Sequence, residues 1–485
     1  EVEAFLRENP YIDGVMIGEG EDTFRELCGY YAHKRKLSDI AGIAFRKNST
    51  DGKTDEIVFT SPRPIKNMSE IPFCYDTLDD FSNRIIYYES SRGCPFSCSY
   101  CLSSVDKTLR FRDTEIVKRE LKFFIDQKVP QIKFVDRTFN CNHAHAMELW
   151  RFIKANDNGV TNFHFEISAD LLNQEELELI SDMRPGLIQL EIGVQSTNEV
   201  TIKEIHRTMK LERLKEVVRL VQSGNNIHEH LDLIAGLPYE NYDSFGRSFD
   251  EIYELKPNQL QLGFLKVLKG SYMFEHAAEY GIVYHDKPPY EVMSTKWLSF
   301  DDVIKIKRVE EMLEVYYNSG QFEITMKLME CIFDSAFEFF QELGDFYEAN
   351  SYFGMSHSRI RRCEILLEFM ALYLHGCDSD DTDFDKNAQI YSMIQESLIF
   401  DLYYRENCKS RPVWAADIGS FKHMTHAYCK NGKLSHVEPF HYIFPDKHTR
   451  KLDELPKYHK EPVWALFHYD MRDPLDHQAL VEYVE

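Results

Sequence analysis

Residues 91–101 read Ser91-Arg92-Gly93-Cys94-Pro95-Phe96-Ser97-Cys98-Ser99-Tyr100-Cys101. Three cysteines at C-x3-C-x2-C spacing share this loop, although only 11 of the 485 residues are Cys. At that frequency the pattern arises by chance about 0.006 times in such a chain. Three thiolates on one loop can coordinate three irons of a cubane and leave the fourth iron open to a further ligand. An electron-transferring cubane wants a fourth Cys nearby, and none follows before Cys141. Zinc held by the three Cys and a remote His is the alternative use of the same donors.

Outward from the loop, short apolar runs alternate with amphipathic stretches. RIIYYESS precedes the cysteines, and a helix is expected over 114–127; QIKFVDRTF leads to a helix over 144–155, and NFHFEISA to one over 174–183. LIQLEIGVQS is followed by helices over 198–205 and 211–222, HEHLDLIAGLP by one over 242–254, and QLQLGFLKVL by one over 273–279. Strands alternating with helices of this length predict a parallel sheet built by right-handed crossovers. Six such units are too few for a closed eightfold barrel, so the expected fold is α/β, an open partial (β/α)6 TIM-like barrel. Active residues then belong at the C-terminal ends of the strands.

Upstream, a helix at Val2–Glu8 and a strand at Gly14–Ile17 lead into Gly18-Glu19-Gly20-Glu21, a helix over 23–36, and a hairpin over 40–62 turning at Asp51-Gly52. The expected organisation is an N-terminal α/β remnant at 1–62, a linker at 63–84, a barrel core at 85–295 and a mainly helical C-terminal domain at 300–485. Within the last, residues 301–405 are aromatic-rich and helical in pattern, an acidic break falls at Asp378–Asp385, and 410–485 carry short strand-like runs. His357, Cys363, Cys377, Cys408 and Cys429 show no ligand spacing, which argues for core or surface thiols over a second cluster.

Hydrophobic residues make up 43% of the chain and aromatics 13%, enough for a sizeable core. The formal charge of −24 disfavours a surface that grips nucleic acid through phosphates. Neither a long apolar run nor a basic-then-apolar leader is evident, and the sparse cysteines suit a reducing compartment, so the expected setting is the cytoplasm without membrane contact.

The cysteine loop, placed after the strand-like Arg84–Glu89, resembles the signature of the radical S-adenosylmethionine (SAM) superfamily. That resemblance runs to about residue 290 and implies a [4Fe–4S] cluster on Cys94, Cys98 and Cys101, with SAM chelated at the open iron. It places Tyr100 against the adenine and Glu166, in Phe165-Glu166-Ile167-Ser168-Ala169-Asp170, among polar groups facing SAM. Glu191-Ile192-Gly193-Val194-Gln195 is similar to the family's E-x-G-x-Q segment, implying contacts from Glu191 and Gln195, with Gly193 allowing close backbone approach. Arg207 matches a position that pairs with the SAM carboxylate. In Asp232–Glu240 the Gly236 backbone would lie beside the adenine, while Asp232 itself reads as structural. Phe134-Val135-Asp136-Arg137-Thr138-Phe139 resembles the F-x-D-x-x-F variant of the cobalamin-associated branch, which places Asp136 near SAM or substrate; Arg137 stands where a second Asp is common.

DGVMIGEGEDTFREL is similar to the tail of the cobalamin-binding domain that precedes the barrel in that branch. No D-x-H-x-x-G segment occurs, so cobalamin is expected only in a longer full-length protein. The region after 300 resembles the uncharacterised C-terminal domain of some members. The resemblance implies reductive cleavage of SAM to a 5′-deoxyadenosyl radical, a reducing donor such as flavodoxin or ferredoxin, and a small-molecule or peptide substrate. In a cobalamin-dependent protein, methyl transfer would follow. The rival readings are a non-catalytic iron–sulfur protein for electron transfer or redox sensing, and an RNA-modifying enzyme of the same family.

Overall fold

The computed structural model describes residues 1–47, 56–81, 84–105, 107–376, 381–429, 434–445 and 449–484. The expected turn at Asp51-Gly52, Cys377, and Asp378 to Asp380 of the acidic break lie outside these residues. The chain forms two compact units, one of residues 1–82, 90–92 and 110–121, the other of residues 83–89, 93–109 and 122–485.

In the first unit, strand Gly14–Met16 pairs antiparallel with Ile43–Lys47, which pairs in turn with Glu56–Phe59. Helix Val2–Glu8 precedes this sheet, and helix Gly20–Tyr31 follows its first strand. That second helix stops short of the expected end at Lys36 because His33 takes the left-handed conformation, φ 57, and Lys34 N–H folds back to the Gly29 carbonyl. The Pro- and acid-rich stretch beyond residue 62 is strapped down within this unit. Arg112 donates to the Ile71 carbonyl at 2.8 Å and forms a buried two-point pair with Glu120 at 3.1 and 2.6 Å.

The second unit contains the barrel segment. Six strands, Ile86–Tyr88, Gln131–Phe134, Asn162–Ile167, Ile188–Gln195, His228–Ala235 and Gln259–Phe264, lie side by side in chain order, and every neighbouring pair is parallel. Period-two alternation sorts their side chains. One face carries Phe163, Phe165, Leu190, Ile192, Leu231 and Leu233, all essentially buried. There Phe134 packs on Phe139 and Phe165, and these two on Trp150 of helix His143–Ala155, with ring centroids 4.3–6.0 Å apart. The other face carries Lys133, His164, Glu166, Glu191, His230 and Asp232.

Among the described residues six α-helices follow, Phe300–Leu313, Glu323–Ile332, Ala336–Ala349, Arg359–Gly376, Asp381–Arg405 and Lys422–Tyr428. An antiparallel sheet of Ser435–Tyr442, Tyr458–Arg472 and Ala479–Val484 completes this part of the chain. The aromatic-dense stretch is core: Phe337, Phe339, Phe340, Tyr347 and Phe369 are buried. Among the bonds between this region and the barrel, two sets satisfy backbone groups at element ends and edges. Asp250 of helix Tyr242–Tyr253 accepts hydrogen bonds from Phe337 N–H (2.8 Å) and the Ser335 hydroxyl (2.7 Å), capping the helix that starts at Ala336. Asn318 mimics a strand residue, accepting from Leu260 N–H at 2.9 Å and donating to its carbonyl at 2.8 Å, and so satisfies part of the sixth strand's open edge. Among the described residues no helix is long and apolar enough to cross a membrane.

Trp150→Ala removes the largest fully buried side chain of the barrel's outer layer. Truncation of that kind costs about 3–5 kcal/mol, which chemical denaturation followed by circular dichroism will register as a loss of the second unit's stability.

Candidate active site

The site is built at the C-terminal ends of the strands by three local devices. The first is the cysteine loop that follows the strand Ile86–Tyr88. Its backbone is docked through Ser99, whose N–H donates to the Ile205 carbonyl at 2.9 Å and whose carbonyl accepts from Met273 N–H at 3.1 Å. The second is the end of helix Glu199–Glu204. His206 takes φ 54, and Arg207 N–H bonds back to the Ile202 carbonyl at 3.1 Å. This left-handed turn swings the Arg207 side chain toward the loop. The third is a bulge in the fourth strand: Gly193 pairs with Asp232, yet Gln195 pairs with Leu233, leaving Val194 extra. Gln195 beyond the bulge sits at φ 77, uncommon for a residue with a side chain. A Cβ at Gly193 would lie 2.3 Å from Gln195 Nε2, so any side chain there would displace the Gln195 amide.

These devices converge on one cavity, whose wall includes Cys94, Cys98 and Cys101. Arg207 Nη1 lies 3.9 Å from Cys98 Sγ and donates to the Tyr100 hydroxyl at 3.1 Å, while Nη2 donates to the Gly193 carbonyl. Cys94 Sγ lies 3.9 Å from Thr138 Oγ1. Burial pushes the Cys94 thiol and the Tyr100 phenol up from their usual ranges. Cys141 is close enough to Cys94 to feel its charge, but it is not part of the cavity wall, and burial raises its thiol to about 11. Among the described residues no three His, Cys, Asp or Glu converge to hold a single metal ion.

The barrel-facing carboxylates differ sharply although Glu166 and Glu191 are in register on adjacent strands. Glu191 lies 2.8 Å from His164 Nε2 and 2.7 Å from Lys133 Nζ, and the hydrogen bond from His164, then that from Lys133, hold it at about 2 despite burial. Glu166 is raised to about 7, first by burial and then by the charge of Glu191. Asp232 is raised by burial. Burial works against charge on His230, but Asp232 Oδ1, 3.1 Å away, outweighs it and raises the imidazole. One neutral and one charged carboxyl at a shared site is an arrangement suited to acid–base work.

Of the residues singled out in the sequence, Cys94, Cys98, Tyr100, Cys101, Glu166, Glu191, Gly193, Gln195 and Arg207 all line this cavity. Asp136 and Gly236 do not. Asp136 is fully buried, and Arg137, in the turn beyond the end of the second strand, takes the cavity position instead. At Gly236, φ 88, a Cβ would lie 2.6 Å from Val292 Cγ1, so its close approach is to the chain itself. Asp232, read from sequence as structural, lines the cavity, as do Ser103, Ser104, Thr138 and Ser168. Strand parity in NFHFEIS and HEHLDL would have found His164, His230 and Asp232.

The raised Glu166 carboxyl has a thermodynamic consequence. The unfolded chain ionises near the ordinary value of 4.5 and the folded chain near about 7, so stability falls as pH rises through that window. Glu166→Gln removes this term, and the variant should gain on the parent from pH 4.5 to about 7 in denaturant titrations.

Residues 88–252 match the family described as the radical SAM superfamily, and residues 278–479 match a family described as a protein of unknown function, DUF4080. An uncharacterised methyltransferase of Pyrococcus horikoshii is 25% identical over 315 residues, covering 63% of this chain and 65% of its own length. The cobalamin-dependent radical SAM methyltransferase TokK of Streptomyces tokunonensis is 26% identical over 273 residues, 52% of this chain and 38% of its own. Three of the curated relatives are matched over only 44–65% of their length. Among solved structures, the cobalamin-dependent SAM radical enzyme OxsB with aqua-cobalamin bound superposes with a TM-score of 0.50 at 16% identity, over 84% of this chain and 66% of that one. The cysteine loop and the second to fifth strands of the parallel barrel segment thus lie within the residues that match the radical SAM superfamily.

Proposed function

We propose that this chain is a radical SAM enzyme, with Cys94, Cys98 and Cys101 holding a [4Fe–4S] cluster and SAM occupying the cavity beside it. The observation that carries this reading is that three thiols of one loop share a cavity with Arg207, Glu191 and Gln195. The donor set fits the cofactors: three sulfur ligands leave one iron for SAM, and two buried polar atoms of the wall, Arg207 Nε and Gln195 Oε1, have no hydrogen-bond partner among the described residues. When bound, the cluster and SAM supply a one-electron cleavage that yields methionine and a 5′-deoxyadenosyl radical, which abstracts a substrate hydrogen atom.

The chain's own residues bind and orient. Arg207, a fixed cation at the cavity wall, would hold the SAM carboxylate, for which a guanidinium is geometrically suited. Glu191, kept ionised by His164 and Lys133, and Gln195 would accept or donate hydrogen bonds to SAM's polar groups. Glu166, neutral through much of the acidic range, can donate a proton into the cavity or take one from it near pH 7. The burial of Cys94 supports exclusion of water from the cluster side.

Downstream of hydrogen abstraction we favour methyl transfer with cobalamin, because the P. horikoshii relative, TokK and a third relative, 2-(S-pantetheinyl)-carbapenam-3-carboxylate methyltransferase, are all named as methyltransferases. That assignment concerns the whole protein, as does its need for an external electron donor.

After anaerobic reconstitution with iron and sulfide, the protein should be brown and release 5′-deoxyadenosine from SAM with dithionite. Cys98→Ala should lose both properties. A cluster that forms but yields no 5′-deoxyadenosine would leave the electron-transfer reading in its place.

A further inference from the structure

In the first compact unit the two limbs flanking the cysteine loop meet. Ser91 pairs with Phe111, and Arg92 with Arg110, in a two-residue antiparallel ladder. At the next residue Gly93 takes φ 95, and a Cβ there would lie 2.4 Å from the Thr108 carbonyl oxygen, so the limbs stay in contact beyond the ladder. Residues 93–109 therefore form a loop with a closed neck, and all three cysteines are threaded on it.

The pairing at that neck is unfavourable by itself, because like charges directly opposite in an antiparallel ladder repel. Glu19 resolves the conflict. Its Oε1 lies 3.1 Å from Arg92 Nη1 and 2.6 Å from Arg110 Nη2, and its Oε2 accepts from Lys66 N–H at 2.9 Å. Glu21 adds a second carboxylate, accepting from Arg92 Nη2 at 2.8 Å, and Arg110 Nη1 donates to the Lys66 carbonyl at 3.0 Å. These side chains are only 15–31% exposed, so solvent screens them partially. Burial alone would raise Glu19, yet Arg110, Lys66 N–H and Arg92 outweigh it and hold the carboxyl at about 2. The Gly-Glu-Gly-Glu segment thus spends both its carboxylates on the neck arginines.

We propose that Glu19, supported by Glu21, is a positioning residue for the cluster: one shared carboxylate latches the neck of the cysteine loop by bridging the two arginines that face each other across it. This rests on the reading that the loop carries the cluster. Without the latch the guanidiniums repel, the limbs part, and the loop holds its three sulfurs less firmly. The repulsion, not a missing contact alone, is the damaging element, so deleting one arginine should relieve it.

The test is the rate at which a chelator strips iron from the reconstituted full chain, with bathophenanthroline under anaerobic conditions as the probe. Glu19→Gln should lose iron roughly twofold to fivefold faster than the parent, on the scale of a cross-strand charge pair. The double variant E19Q/R110Q should return toward the parent rate. Equal rates for parent and E19Q, or a double variant no slower than E19Q, would overturn the latch. If E19Q does not fold by circular dichroism, the same single-against-double comparison is read from E21Q and E21Q/R92Q. A parent chain that takes up no cluster would instead refute the proposed function.

Discussion

A single half-buried guanidinium ties the cysteine loop to the barrel. Arg207 reaches the Tyr100 hydroxyl and the Cys98 sulfur on one side and the Gly193 carbonyl on the other. A cation buried to this degree is costly unless its donors are used. The surrounding structure therefore has to supply acceptors at fixed positions, and the left-handed turn at His206 and the bulge at Val194 are the devices that do so. The loop that carries the three thiols is thereby anchored at fixed points of the barrel.

The second constraint is the two-sidedness of the barrel strands. Their outer positions build an apolar layer under the helices, and their inner positions carry acids, bases and amides. Charges so close together in the barrel interior divide into unlike states. Glu191 takes the available partners, the His164 ring and the Lys133 ammonium, and stays ionised, which leaves the adjacent Glu166 with burial and a neighbouring negative charge. The difference between these carboxyls is thus a property of the pair and not of either residue.

The C-terminal region is part of the same compact unit as the barrel segment. Asn318 occupies hydrogen-bonding groups of the sixth strand, and Asp250 caps a helix of the following domain. A partial barrel has two open edges, and covering one of them with the next domain removes a surface that would otherwise pair with another strand.

The strand–helix alternation was legible in the sequence because hydrophobic period and turn residues are local properties, and all six barrel strands lie where that pattern places them. The cysteine spacing, and with it the family resemblance, was equally local. The segment at 301–405 could be recognised as helical from its pattern, and its aromatics as packing. Sequence could not show which polar side chains would share a cavity. Asp136 and Arg137 are neighbours in the chain, but the turn beyond the second strand puts the arginine at the wall and buries the aspartate. Nor could it show that Glu19 would lie between Arg92 and Arg110, more than seventy residues away in the chain. By itself, then, the sequence determined the order of the elements and the clustering of the three cysteines, since both follow from residue type and short-range spacing. Only the tertiary structure decided which charges pair and which carboxyl stays neutral, because those outcomes depend on distances between residues remote in the chain and on how much water the fold leaves around them.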